Sequence, residues 1–342
     1  MTPRINDIAA FMKARHDIYL DRKAGKPGPW TEDPVLANGR FCNIFRELDT
    51  VTIWIEENIR KPFADHEHLW FMLAIARYIN WHPTLAELIN LAQEQNVPAW
   101  PSHPNFGCGE AFVAEQGAGF DASTLTWALT NLAKSGEKVY TGAYMIRAES
   151  DPTKHWYSWS KHKYIAEIVL GRLWEDRAKF VDVLEAGPQP SLEKVWSLFQ
   201  DPRYVGWGPF MAYEVVTDLR HTRYLRDAPD IYTWANAGPG AIRGLNRLYG
   251  RDLGAKPKPQ QTNDEMIQLM LALNRLDEPG FNRTFGPVPR ALPGSDQLDR
   301  PNRFEMRDIE HSLCEFDKYE RVRLGEGKMR SKYDWRNATT LA

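Results

Sequence analysis

Cysteine is scarce in this sequence: three residues in 342, Cys42, Cys108 and Cys314, far apart and with no C-x-x-C pair. An odd set of scattered thiols builds neither a disulfide framework nor a zinc site, so they read as core or free thiols, and no metal or cofactor is expected. Also missing is any run of about 18 apolar residues, the length a membrane-crossing helix needs, and the N-terminus lacks the pattern of a secretion signal. The expectation is a cytosolic protein with no membrane partner. The phosphate loop G-x-x-x-x-G-K-[ST], a strand-linked G-x-G-x-x-G and the elbow G-x-S-x-G are all absent, which sets aside P-loop kinases, dinucleotide dehydrogenases and serine hydrolases. Net charge is small, −2. Any binding of a polyanion must therefore rest on a local positive face.

Apolar and aromatic area is plentiful, at 43% hydrophobic residues with 13 Trp, 13 Tyr and 15 Phe. That is enough for a packed interior, in one large helical domain or two lobes. Apolar spacing of three and four predicts helices over 5–19, 66–78, 83–93, 122–135, 158–183, 192–199, 209–222, 241–249, 264–276 and 305–322. Over 41–59 the residues Phe41, Phe45, Leu48, Ile55 and Ile59, with Thr52 between them, predict one amphipathic helix. The best strand candidate is 138–146, and loops are expected over 23–34, 97–119 and 277–303. The class is mainly α. The domain reading is an N-terminal helix and linker over 1–34, a helical domain over 35–336 with candidate lobes 35–187 and 188–336, and a tail over 337–342.

Four places combine residues that carry chemistry. Gly238-Pro239-Gly240-Ala241-Ile242-Arg243-Gly244 makes a tight turn into a helix whose N–H groups can hold a phosphate, with Arg243 adding charge; a plain structural turn is the alternative. Glu214 and Asp218 lie four apart on an otherwise apolar helix, as catalytic carboxylates or as partners in a salt bridge. Asn43, Arg46 and Asp49 recur at three-residue spacing and can grip a base edge or phosphate, or simply pair internally. In the last helix Glu310, Cys314 and Asp317 share one face, and His311, Glu315 and Lys318 the next. From Lys318 to Arg336 seven Lys/Arg stand against three acidic residues, a stretch able to follow phosphates or a solvated tail.

Taken in order, Phe41-Cys42-Asn43-Ile44-Phe45-Arg46-Glu47-Leu48-Asp49-Thr50-Val51-Thr52, Thr141-Gly142-Ala143-Tyr144-Met145, Gly208-Pro209-Phe210, Ala237-Gly238-Pro239-Gly240-Ala241 and Glu310-His311-Ser312-Leu313-Cys314-Glu315-Phe316-Asp317-Lys318-Tyr319 resemble the alpha-glutamyl/putrescinyl thymine pyrophosphorylase superfamily. It holds bacteriophage amino acid:DNA transferases and the helical domain attached to phage 5-hydroxymethyluracil DNA kinases. The resemblance covers roughly residues 35–335. It implies a helix-hairpin-helix, DNA-glycosylase-like fold in the cytoplasm of an infected bacterial host. It also implies transfer of an amino acid such as glycine, or of a polyamine, onto 5-phosphomethyl-deoxyuridine in double-stranded DNA, with phosphate released. The base would be extruded into the site. Glu214, Asp218, Glu310 and Asp317 are then the candidate catalytic carboxylates. Asn43, Arg46, Asp49, Tyr144, Arg243, His311 and Lys318 are the candidate substrate and phosphate contacts, and Gly238, Gly240 and Gly244 the DNA-backbone contacts. Two alternatives stand beside it: a glycosylase using Asp252 or Asp264, and a non-catalytic DNA-binding partner of the kinase.

Overall fold

The computed structural model describes residues 3–103, 122–142, 144–275, 304–329 and 331–337. Most of the loop expected over 97–119, and all of the one over 277–303, lie outside the described residues. In chain order the helices are α1 (Ile5–Lys23), α2 (Pro34–Asn38), α3 (Thr50–Ile55), α4 (Leu69–Ile79), α5 (His82–Gln93), α6 (Ala122–Lys134), α7 (Lys161–Lys163), α8 (Gly171–Glu175), α9 (Arg177–Leu184), α10 (Leu192–Leu198), α11 (Pro209–Leu219), α12 (Pro239–Leu248), α13 (Pro259–Arg275) and α14 (Met306–Arg323). Tighter 3-10 turns occur at Arg46–Leu48 and Trp335–Asn337, and wider π-helical stretches at Glu56–Arg60 and Tyr164–Leu170. The mainly α class holds. No described helix is long and apolar enough to cross a membrane. Two compact units divide the chain, one of residues 1–49 with 230–342 and one of residues 50–229.

In the first unit α14 is the axis. It opens with a capping box, the Glu305 carboxylate accepting the Asp308 N–H and the Asp308 carboxylate accepting the Glu305 N–H at 2.8 Å. Its buried Met306, Ile309, Leu313 and Phe316 recur at three- and four-residue spacing, and α1, α2, α12 and α13 pack against it. The approach of α12 is close because two of its residues have no side chain. A Cβ on Gly244 would stand 2.4 Å from the Leu313 carbonyl oxygen, and one on Gly240 would stand 2.4 Å from Cys314 Sγ. α1 contributes a buried stripe of Ile8, Met12, Arg15 and Tyr19, with Phe11 tilted against Tyr319 at 5.2 Å.

In the second unit every residue of α4 is buried, and a helix that is apolar all round must lie at a centre. α4 carries one charge, Arg77, and ends at Asn80 in the left-handed region at φ 45°. Trp70 stacks on Phe180 at 4.8 Å and Tyr78 tilts against Trp207 at 5.2 Å. α5, α11 and the π-helical stretch Glu56–Arg60 pack directly on α4.

Three expectations are corrected. The single helix over 41–59 does not form: Asn43 donates its backbone N–H to Asp49 Oδ1 at 2.9 Å and its amide to the Leu48 carbonyl at 2.7 Å. Such local bonds compete with the helix, which starts only at Thr50. The strand over 138–146 does not form either, because its neighbours among the described residues are helices. Thr141 N–H donates to the Ile79 carbonyl at 3.0 Å and the Thr84 hydroxyl donates to the Val139 carbonyl at 2.9 Å. One isolated bridge, Gly39 with Lys332, is the sole strand-like pairing among the described residues. The helix over 158–183 is broken into α7, a π-helical stretch, α8 and α9.

Candidate functional site

Five of the residues singled out in the sequence gather in the first unit around α14. Asn43 and Asp49 are tied by the local bonds that stop the early helix, and Arg46 Nε donates to Asp49 Oδ2 at 2.6 Å. Arg46 Nη1 lies 3.5 Å from His311 Nδ1. Lys318 Nζ reaches Glu315 Oε2 at 2.7 Å and stands 4.8 Å over the Phe41 ring. Glu315 in turn accepts the Cys42 N–H at 3.1 Å. Arg15 completes the group by donating to Asn43 Oδ1 at 2.9 Å and the Phe41 carbonyl at 3.0 Å. Three cations, Arg15, Arg46 and Lys318, thus face two carboxylates, Asp49 and Glu315.

His311 is the centre of this cluster electrostatically. Burial, then the charges of Arg46, Lys318, Arg307 and Arg15, holds its imidazole well below the usual histidine range, so the ring is neutral. A guanidinium can only donate, so Nδ1 facing Arg46 is the accepting nitrogen and the ring proton sits on Nε2. That Nε2–H is buried with no hydrogen-bond acceptor.

Cys42, His311 and Glu315 each place one ligand atom within 4.8 Å of the others, the one such set found among the described residues. Donor types and spacing suit a metal ion. The surroundings oppose it: a metal-bound histidine normally donates its other N–H to an acceptor, whereas here a guanidinium faces Nδ1. Burial, with the charge of Glu315, also pushes the Cys42 thiol up, away from the thiolate a metal binds. Cys314 is likewise a poor nucleophile, its thiol pushed up to about 12 chiefly by burial.

The remaining residues of α12 and α14 have structural tasks. Asp317 is buried between two guanidinium groups, accepting from Arg243 Nε at 2.8 Å and Arg247 Nε at 2.9 Å. This ion triad fastens α12 to α14. Gly238 N–H donates to Glu310 Oε1 at 3.2 Å. Gly244 is buried on the Leu313 carbonyl, where a close helix crossing leaves no room for a side chain. α11 and α12 belong to different units, joined by residues 220–238 without a helix. Within the first unit, packing on α14 positions the glycine-proline turn.

The second unit holds Tyr144, Glu214 and Asp218. Arg77 donates to Asp218 through both Nε and Nη2, the latter at 2.8 Å, and Nη2 also donates to Thr52 Oγ1 at 3.0 Å. Burial alone would lower the Arg77 pKa, but the charge and hydrogen bonds of Asp218 outweigh it and raise it. Asp218 is 1% exposed. It is the counter-ion of a buried arginine, the salt-bridge alternative weighed for it in the sequence. Glu214, also buried, accepts from Tyr144 Oη at 2.6 Å. Sequence reading missed Arg15 and Arg77. The signal was present in both cases, a lone cation within an apolar stripe or run.

A family model described as "5-hmdU DNA kinase, helical domain" matches residues 2–329. The "5-hmdU DNA kinase" of Bacillus phage SP10 is 25% identical over 320 residues, which span 89% of this chain and 43% of that protein. No solved structure matches the chain. Both matches name a 5-hmdU DNA kinase, and neither names an amino acid transferase. A match over nearly the whole chain, on a mainly helical body, decides the matter of kinship: the chain belongs to the family of the helical domain of 5-hmdU DNA kinases.

Proposed function

We propose that this chain acts in thymine hypermodification of phage DNA by receiving a 5-hydroxymethyluracil nucleotide, or its 5-phosphomethyl derivative, at the His311 cluster. One observation carries this reading: the buried His311 Nε2–H lacks an acceptor while Arg15, Arg46 and Lys318 surround the ring. A buried unsatisfied donor costs about 1–3 kcal/mol, and an anionic oxygen supplied by the substrate would satisfy it. A pyrimidine within a duplex reaches such a place only by extrusion, at about a few kcal/mol.

The activity we assign is amine transfer. A C–N bond forms at the exocyclic methylene carbon while the C–O bond to phosphate breaks, its electron pair leaving with the phosphate. The amine's proton passes to the departing phosphate dianion. Arg46 and Lys318 stabilise the charge that develops there. The donor is an amino acid or a polyamine.

A second reading, a recognition domain without turnover, is favoured by the locking of Asp218 and Asp317 in buried ion pairs. The relative's name, a kinase, also supports it. Incubating the protein with duplex DNA carrying 5-phosphomethyl-deoxyuridine and glycine, glutamate or putrescine, then digesting to nucleosides for mass analysis, separates the two. Heavier, amine-bearing nucleosides establish transfer. Unchanged nucleosides together with preferential binding of the modified duplex establish recognition alone. Equal binding of modified and plain duplex refutes both.

A further inference from the structure

An open cleft of about 860 Å³ lies in the first unit, where the loop after α1, the end of α2 and the Trp335–Asn337 turn meet. Two partly exposed indoles, Trp30 and Trp335, line it beside Pro27 and Pro29. Both are held in place. Trp30 Nε1 donates to the Lys26 carbonyl at 2.7 Å, and the Arg22 guanidinium lies 5.2 Å from the ring centroid. Trp335 ends a strap fastened to the end of α2: Tyr333 N–H donates to the Asn38 carbonyl at 2.9 Å, Gly39 bridges to Lys332, and Arg40 N–H donates to the Ser331 carbonyl at 3.2 Å. The two rings come together at Gly28, where a Cβ would stand 2.8 Å from the Trp335 ring and 3.5 Å from that of Trp30. α14 joins the cleft to the His311 cluster. Lys318 belongs to the cluster, and the next residue, Tyr319, donates its hydroxyl to Asp33 Oδ2 at 2.6 Å, beside the cleft residue Glu32.

Charge, with both signs counted, says what the cleft suits. Residues 21–40 and 324–337 together hold eight Lys/Arg against five Asp/Glu. Four of the five carboxylates are engaged. Asp21 pairs with Lys26 at 2.5 Å, and Asp33 takes the Tyr319 hydroxyl and caps α2. Glu326 holds Arg247, and Asp334 meets Arg336 at 3.4 Å in a solvated pair. Glu32 remains, exposed at the cleft. Against it Lys23, Arg40, Lys328 and Lys332 are exposed and have no carboxylate partner among the described residues. Aromatic faces with uncompensated cations nearby suit nucleobases stacked on the rings and phosphates laid along the cations. In a duplex the bases stack on one another, so the fitting strand is unpaired. A proline-rich peptide would use the rings without requiring the cations.

We propose that the Trp30/Trp335 cleft binds unpaired DNA, stacking nucleobases on the two indoles while Arg40 and Lys332 follow the backbone phosphates. The proposal rests on the reading that the chain acts on DNA, and it involves the first unit alone.

The test uses the full chain, a labelled oligothymidylate and the same strand made abasic, compared by fluorescence anisotropy. The wild type should bind the oligothymidylate, and should bind the abasic strand, which keeps the phosphates, about tenfold more weakly, the scale of one lost aromatic–base stack. Trp30→Ala/Trp335→Ala should lose at least as much on the oligothymidylate, while Trp30→Tyr/Trp335→Tyr keeps the rings and most of the affinity. Arg40→Gln/Lys332→Gln should lower the slope of log Kd against log salt by about 1.4, two phosphate contacts at about 0.7 each. A 5-iodouracil strand irradiated on the wild type should cross-link to Trp30 or Trp335, read by peptide mass analysis. Equal affinity for the abasic strand, cross-links only elsewhere, or no binding of the oligothymidylate overturns the proposal. Should the alanine variant melt early, the abasic strand and the cross-link, both measured on the wild type, decide. The oligothymidylate carries no 5-hydroxymethyl group, so it reads the cleft, whereas preference for the modified duplex reads the His311 cluster, and each fails without the other.

Discussion

Replacing Asp218 by Ala should destabilise the second unit rather than merely silence a site. Arg77 is 3% exposed and its guanidinium is held by Asp218 and Thr52 alone among the contacts described above. Removing the carboxylate leaves a buried cation without its hydrogen-bonded partner, with only the more distant charge of Glu214 acting on it, a loss of about 3–5 kcal/mol. In a domain of this size one kcal/mol moves the melting temperature by about 2–4 °C, so a fall of roughly 6–20 °C is expected. Differential scanning calorimetry with a urea titration measures it directly. Replacing the pair together, Arg77→Met with Asp218→Leu, removes both charges and should restore most of the lost stability, because two desolvated ions exchange for apolar contacts. The double-mutant cycle isolates the coupling between them. If Asp218→Ala melts within about 2 °C of wild type yet loses turnover, the ion-pair account is wrong and Asp218 belongs to the chemistry.

Three further outcomes follow from the first unit. Gly244→Ala puts a methyl group 2.4 Å from the Leu313 carbonyl oxygen, so α12 must back away from α14; a loss of about 1–3 kcal/mol is expected in a urea melt, and an unchanged midpoint would show that the helices do not meet as described. His311 is held below its unfolded pKa of about 6.5, so its contribution is fully present above that pH. As pH falls below about 6.5 the unfolded chain takes up a proton that the folded one refuses, and stability drops by at most about 1.4 kcal/mol per pH unit; His311→Gln should remove this share of the acid slope. Arg46→Lys keeps charge but loses the planar fork, and should weaken binding of 5-phosphomethyl-deoxyuridine duplex by roughly 10–100-fold in fluorescence anisotropy. Its pair with Asp49 is partly exposed and worth about 0–1 kcal/mol, so melting should hardly change.

Helix content was legible because apolar residues at three- and four-residue spacing need only a common interior to pack against. α4, α5, α11 and α14 all lie close to the ranges read from the sequence. The stretch over 41–59 misled because its spacing is helical while the side chain of Asn43 and the carboxylate of Asp49 capture backbone groups locally. Periodicity carries no record of that competition. The site was half legible. Asn43, Arg46, Asp49, His311 and Lys318 were named from type and spacing, and they do share one cluster. Arg15 was missed since its partner Asn43 lies 28 residues away, and Arg77 since Asp218 lies 141 residues away.

Composition and periodicity alone determined a helical protein with a large aromatic interior and no P-loop, and five short phrases pointed to phage thymine hypermodification. Tertiary structure decided which charged groups are paired. Asp218 and Asp317 look like candidate bases in one dimension; only packing reveals the arginines that neutralise each of them. The physical reason is that ionisation, burial and pairing depend on atoms a few ångströms away in space, at distances along the chain that no local pattern encodes.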